Sequence, residues 1–333
     1  MPPRPALRLL AALLLPVAFV APRPAVATAP SGDAAPTRDR VARSAAPAFG
    51  AYVDGMQADP SRLADFEELV RSRTDIASSY YGYGDVFPGP LERTFADGGR
   101  RKVLVSWHMD GTRYAEWSAG RHDDYLDTIV EALRAHPHRV WVRPWPEMNG
   151  DWQPFQPTRS GERPEGGTYR EFRQAWRHVV DHFREAGVRN VRWVFNPSAD
   201  TYAGTTPVEK IWPGRRYVDV LGIDGFNWGE DDGWGRWRSF DAIFGRMYDR
   251  LTALHPTAPV WICEVSSKEP EVDDGAPRDP RRSKAAWTRR ALDRSGMPQV
   301  RALIWFHALK ERDWRANSSP GVIRALRRAL ADR

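Results

Sequence analysis

The feature that most restricts what this chain can fold into is an alternation that runs along residues 48–333. Eight short apolar runs rich in β-branched and aromatic residues occur at 49–53, 76–81, 102–107, 139–144, 191–196, 218–223, 260–264 and 302–306. Helical periodicity separates many of them, at 62–73, 123–135, 169–186, 240–254 and 281–294, and an amphipathic pattern at 323–331 closes the chain. Val140-Trp141-Val142 and Trp261-Ile262-Cys263 are apolar without a break, as in parallel strands covered on both faces. Each run is followed by a helical pattern or by enough chain to hold one, and eight βα units in about 285 residues is the size of a closed barrel. An open doubly wound sheet needs a glycine-rich phosphate turn after its first strand, and Ala51-Tyr52-Val53-Asp54-Gly55 is not one. The expected fold is α/β, a single-domain (β/α)8 TIM barrel over residues 48–333, without internal repeats.

The first residues do not belong to this pattern. Arg4 and Arg8 precede an apolar run at 9–20, and the small residues Ala25-Val26-Ala27 and Ala27-Thr28-Ala29 follow. That order predicts a secretory signal peptide, residues 1–27, cleaved after Ala27 or Ala29. Its apolar run is about a dozen residues, short of the roughly 20 needed to span a bilayer. Residues 28–47 are rich in Ala, Pro, Ser and charge without periodicity, and read as a flexible N-terminal tail. We therefore expect a secreted, extracellular monomer with no membrane association after cleavage. The single cysteine, Cys263, excludes an internal disulfide, so stability must come from a large core. Removing residues 1–27 takes away three arginines and no acid and lowers the formal charge from +6 to +3. The remaining charges are interspersed, which gives no nucleic-acid footprint.

Tryptophan is abundant, at 15 residues. Core positions account for Trp141, Trp176 and Trp193. Nine others, Trp107, Trp117, Trp145, Trp152, Trp228, Trp234, Trp237, Trp305 and Trp314, fall at or just beyond strand ends, where a barrel carries its binding loops. Accessible aromatic faces there suit flat apolar ligand faces such as those of pyranose rings.

The C-terminal strand ends supply the chemistry. They hold Asp54, Tyr81 and Tyr83, Trp107 and His108, Arg143 and Glu147, Asn196, Asp224 and Asn227, Glu264, and Trp305 and His307. Two glutamates stand out: Glu147 just past the fourth strand, and Glu264 at the end of the seventh, directly after Trp261-Ile262-Cys263. A carboxylate emerging from a core is costly unless paired or functional, and a salt bridge from Glu264 to Arg143 or Lys268 is the purely structural reading. The functional one is glycoside hydrolysis, in which one carboxyl donates a proton to the leaving oxygen and the other, ionised, attacks the anomeric carbon or activates water.

At this point the residues become specific. RVWVRPWPEMNGDW at 139–152 resembles the acid/base motif of glycoside hydrolase family 26. SWH at 106–108, YVDVLGIDGFNWG at 217–229, PVWICEV at 259–265 and WFHALKERDW at 305–314 resemble the family's other strand-end motifs, in order. The resemblance implies a retaining enzyme with Glu147 as general acid/base and Glu264 as nucleophile, and no cofactor. It further implies that Arg143 orients a carboxylate, that His108 and Trp152 contact substrate, and that Trp305 floors the subsite at the cleavage point. Trp107, Asn196, Phe226, Trp228 and Tyr83 complete the expected substrate-binding set. β-1,4-Mannan is the commonest substrate so implied, and mixed-linkage β-1,3-1,4-glucan and β-1,3-xylan are the others. Two positions depart from the family pattern: Pro146 where many members have His, and Phe226 where a Tyr often reaches the nucleophile. The latter leaves Tyr83 or Asn196 as candidate partners of Glu264.

Two other classes of function fit the residues less well. A non-catalytic carbohydrate-binding barrel would use the tryptophans but has no need of the glutamate pair. A metal-dependent hydrolase would need strand-end His and Asp clusters, which are missing, so no metal is expected. The acidic runs at 230–233 and 273–275 lack ordered calcium-loop spacing and read as solvated loops. His136-Pro137-His138 precedes the fourth strand, on the opposite face, and Cys263, one residue before Glu264, should point away from it.

Overall fold

Eight parallel strands close into a barrel in chain order, β1 Ala48–Val53, β2 Ile76–Tyr81, β3 Lys102–Trp107, β4 Val140–Pro144, β5 Val191–Phe195, β6 Val220–Asn227, β7 Val260–Ser267 and β8 Val300–His307. The computed structural model describes residues 46–229, 236–270, 282–293 and 296–331. The expected signal peptide, nearly all of the expected tail, Trp234 and the acidic runs at 230–233 and 273–275 lie outside the described residues. Closure is a six-residue register between β1 and β8, from Ala48 opposite Ala302 to Val53 opposite His307.

The helices among the described residues are α1 Ser61–Val70, α2 Pro90–Ala96, α3 Tyr114–Ser118, α4 Asp123–Ala135, α5 Tyr169–Glu185, α6 Val208–Ile211, α7 Phe240–Leu254, α8 Lys284–Leu292 and α9 Pro320–Ala331. Local chemistry sets their ends and faces. Asp123 and Asp124 open α4, where negative charge complements the helix dipole, and Leu126, Ile129, Val130 and Leu133 form its buried stripe. At the start of α5 the Thr168 hydroxyl accepts from the Glu171 backbone N–H, and the Glu171 carboxylate accepts from the Thr168 N–H. Short helices α2, α3 and α6 occupy segments that carry too few periodic residues to be read as helices from sequence.

The two-residue period of a strand divides the molecule into two cores. Outward residues pack under the helices. Inward residues Ile76, Leu104, Val194, Val220, Trp261, Cys263, Ala302 and Ile304 fill the barrel, with Ala48 and Trp141 against them. Two or four residues further along the same inward rows the lining turns polar: Ser78 and Tyr80, Ser106 and His108, Arg143, Asn196, and Asp224. This change from apolar plug to polar mouth positions the site.

β7 breaks the period. Ile223 pairs with Ile262 but Asp224 pairs with Glu264, so Cys263 is an extra residue in the ladder. A bulge re-aims the side chains beyond it. Cys263 joins the inner plug while Glu264 still turns into the mouth, which corrects the expectation that the two point apart. Cys263 is fully buried beneath the mouth.

Candidate active site

Glu147 is presented by a turn built on unusual backbone. Trp145 and Glu147 have φ of 47° and 55°, the left-handed region that costs an L-residue roughly 1–2 kcal/mol. Pro146 between them has no N–H, and its neighbours' amides tie the turn to both flanking strands. Trp145 N donates to the Trp107 carbonyl at 3.0 Å, and Glu147 N to the Asn196 carbonyl at 2.8 Å. The Glu147 carboxyl thus turns into the mouth, where its Oε2 accepts from the Trp152 indole at 2.9 Å and from Gln153 Nε2 at 3.4 Å. Burial, followed by repulsion from Glu264, pushes its pKa up to about 7.

Glu264 has the opposite surroundings. Its Oε1 accepts from Arg143 Nη2 at 2.5 Å and from the Tyr80 hydroxyl at 2.7 Å. Arg143 is fully buried and reaches three strands: Nε donates to Ser106 Oγ at 2.6 Å, and Nη1 to Asp224 Oδ2 at 2.6 Å. Burial opposes the guanidinium charge, and Asp224 and then Glu264 more than restore it. Asn196 Nδ2 also donates to Asp224 Oδ2, at 2.8 Å. Gly222 lets this network close: a Cβ there would lie 2.3 Å from Asn196 Oδ1. Burial pushes the Tyr80 hydroxyl pKa well up, with Glu264 adding to it, so Tyr80 keeps its proton and donates. His108 is pushed down to about 4, chiefly by burial and then by Arg143, and is neutral at neutral pH.

These groups open into a cavity of about 820 Å³, whose walls include Glu147, Glu264, Tyr80, His108, Pro146 and Trp152. Gln153, Phe226, Trp228, Phe306, Lys310 and Trp314 also line it. Of the residues expected at the site, Glu147, Glu264, His108, Trp152, Phe226 and Trp228 line the cavity, while Arg143 and Asn196 sit beneath it. Three others lie elsewhere. Trp107 is fully buried on the helix-facing side, its indole donating to Tyr125 Oη at 3.1 Å. Trp305 is 1% exposed and donates to the Trp314 carbonyl at 3.2 Å. Both stand on outward positions, one residue out of phase with His108 and Phe306. Tyr83 is 43% exposed and pairs with His122 Nδ1 at 2.8 Å. Of the expected partners of Glu264, Arg143 is present, and Tyr80 takes the place expected of Tyr83 or Asn196. Trp117 and Trp145 are likewise fully buried.

Tyr80 and Phe306 were not among the expected site residues, and Asp224, read at a strand end, had no role assigned to it. The signal that finds them is strand parity: from the apolar inward positions Ile76, Val220 and Ile304, even steps lead to Tyr80, Asp224 and Phe306.

Comparison with known proteins agrees with this architecture. Residues 111–265, which include both glutamates and Arg143, match Glycosyl hydrolase family 26. The chain is 33% identical over 288 residues to Endoglucanase H of Acetivibrio thermocellus, covering 85% of this chain and 30% of that protein. It is 24% identical over 159 residues to a Mannan endo-1,4-beta-mannosidase of Bacillus subtilis, covering 46% of this chain and 37% of the other. The chain therefore spans about a third of the length of these relatives. A solved Bacillus subtilis mannanase shares the fold, with a TM-score of 0.57, 17% identity and 84% of each chain covered. The chain belongs to glycoside hydrolase family 26.

Proposed function

We propose that this protein is a retaining endo-β-glycosidase acting on a β-linked polysaccharide, with Glu147 as general acid/base and Glu264 as nucleophile. The observation that carries the reading is the contrast between two carboxyls in one cavity. One is driven towards its neutral form near pH 7, and the other is ion-paired with a buried arginine. A carboxyl held towards its neutral form beside one held in an ion pair divides the labour of proton donor and nucleophile. Glu264 Oε1 is held by Arg143 and Tyr80, which leaves Oε2 to attack the anomeric carbon. As that bond forms, the glycosidic C–O bond breaks and the Glu147 proton passes to the leaving oxygen. Esterification removes the charge of Glu264, so the repulsion that adds to burial in raising the Glu147 pKa disappears, and Glu147 becomes the base the second step needs. It then takes a proton from water as the water attacks the anomeric carbon, and Glu264 leaves as a carboxylate.

Among the substrates the family implies, the greater identity and coverage with an endoglucanase favours a β-glucan, with mixed-linkage β-1,3-1,4-glucan the first to assay. β-1,4-Mannan is the second reading, supported by the mannosidase relative and the mannanase fold neighbours. Export, with cleavage after Ala27 or Ala29, rests on the leader sequence and is tested by the N-terminal sequence of protein recovered from culture medium.

Reducing-sugar release from a panel of β-glucans, mannans and xylans tests the activity. The wild type should degrade one of them to a ladder of oligosaccharides, and Glu264→Ala should lose at least about a hundredfold in kcat. No release from any substrate, or equal activity in that variant, overturns the proposal in favour of a carbohydrate-binding barrel.

A further inference from the structure

On the outer layer of the barrel, α4 and α5 bring together a group of residues remote in function from the cavity. His178 and His182 are one turn apart on α5 and share a helix face, and Asp123 and Asp127 are one turn apart on α4. His178 Nε2 lies 2.6 Å from Asp123 Oδ1, and His182 Nδ1 lies 3.8 Å from the same oxygen. One ligand atom from each of Asp123, His178 and His182 falls within 4.8 Å of the others. None of these residues lines either described cavity.

The decisive contact is on the far side of His182. Its Nε2 lies 2.9 Å from Asp127 Oδ1, so the carboxylate holds the proton on Nε2. In the neutral ring Nδ1 then carries a lone pair, and it faces Asp123 Oδ1, which is also an acceptor. His182 Nδ1 and Asp123 Oδ1 thus converge, with His178 Nε2, on the point a cation would occupy. A carboxylate on the second nitrogen of an imidazole is also the arrangement that orients histidine ligands in metal sites.

We propose that Asp123, His178 and His182 bind a divalent transition-metal ion of the zinc type, with Asp127 fixing the His182 ring and water as the fourth ligand. Two imidazoles and one carboxylate suit the tetrahedral preference of zinc, and the hard oxygen-only sets of calcium and magnesium are excluded by the histidines. His178 coordinates through Nε2 as its Nδ1–H tautomer, so its Nε2 proton is displaced as the metal enters. The ion ties two neighbouring helices of the outer layer and acts on stability, because a ligand bound only by the folded state raises its melting temperature.

Isothermal titration of the untagged chain with zinc alone tests this. The expected result is one ion per chain, lost in His178→Ala and in His182→Ala. In Asp127→Asn, which keeps all three ligands, affinity should fall about tenfold to a hundredfold. Zinc should raise the melting temperature of the wild type and not of the histidine variants, while glycosidase activity is the same in all of them. No zinc uptake at millimolar metal means that the Asp–His contacts are only a clasp between helices and overturns the proposal. Undiminished uptake in the His178→Ala, His182→Ala double variant overturns it equally, by putting the metal elsewhere.

Discussion

Replacing Glu147 with glutamine should stabilise the protein at alkaline pH and leave its stability unchanged in acid. Burial and the Glu264 charge raise the Glu147 carboxyl from 4.5 to about 7. The folded chain therefore holds a proton that the unfolded chain releases between those values, and stability falls as pH rises through that window. A raised pKa of this size corresponds to about 3 kcal/mol, which the cavity's access to water reduces to about 2 kcal/mol. Glutamine has nearly the same shape, carries no charge and can still accept from the Trp152 indole. Its melting curve should coincide with that of the wild type near about pH 4 and lie about 4–8 °C above it near about pH 8. Scanning calorimetry of both proteins across that range is the measurement. A gap that stays constant with pH refutes the assignment of a raised pKa to Glu147, and with it the physical basis for its acid role.

Other substitutions probe the remaining contacts. Trp152→Phe removes the hydrogen bond that lowers the Glu147 pKa, so the alkaline limb of kcat/KM, expected near 7 in the wild type, should move to higher pH. Tyr80→Phe removes a donor to the Glu264 carboxylate worth about 1.5–3 kcal/mol, so the melting temperature should fall by about 3–12 °C and kcat/KM by about 10- to 100-fold. Asp224→Asn leaves the buried Arg143 ion-paired with Glu264 alone and should cost about 1.5–3 kcal/mol in denaturant unfolding. Gly222→Ala drives a methyl into Asn196 and should cost about 1–3 kcal/mol, with activity falling although no charged group has changed.

The barrel itself was legible because its signal is local. Strands β2 and β3 and helices α4 and α7 have the bounds read from sequence, since apolar periodicity and end chemistry are properties of neighbouring residues. The two glutamates were legible for the same reason: each stands alone in an apolar or aromatic context at a strand end. Which side of each strand faces the axis was less visible. Trp107 and Trp305 look like binding residues by position, yet one step of parity puts them under the helices and gives the mouth to His108 and Phe306. At β7 parity itself fails, because a bulge sends Cys263 and Glu264 into the same interior.

What the sequence determined alone was the order of elements and the identity of two carboxyls at strand ends, because these depend on side chains a few positions apart. Only the tertiary structure decided what surrounds those carboxyls. Tyr80, Arg143 and Asp224 come from three different strands and Asn196 from the residue that follows a fourth, up to 144 positions apart in the chain. They meet only because the barrel closes, and the burial and repulsion that set the Glu147 pKa exist only in that closed mouth. The same holds on the outer surface, where His178 and His182 acquire Asp123 and Asp127 only when α5 packs beside α4.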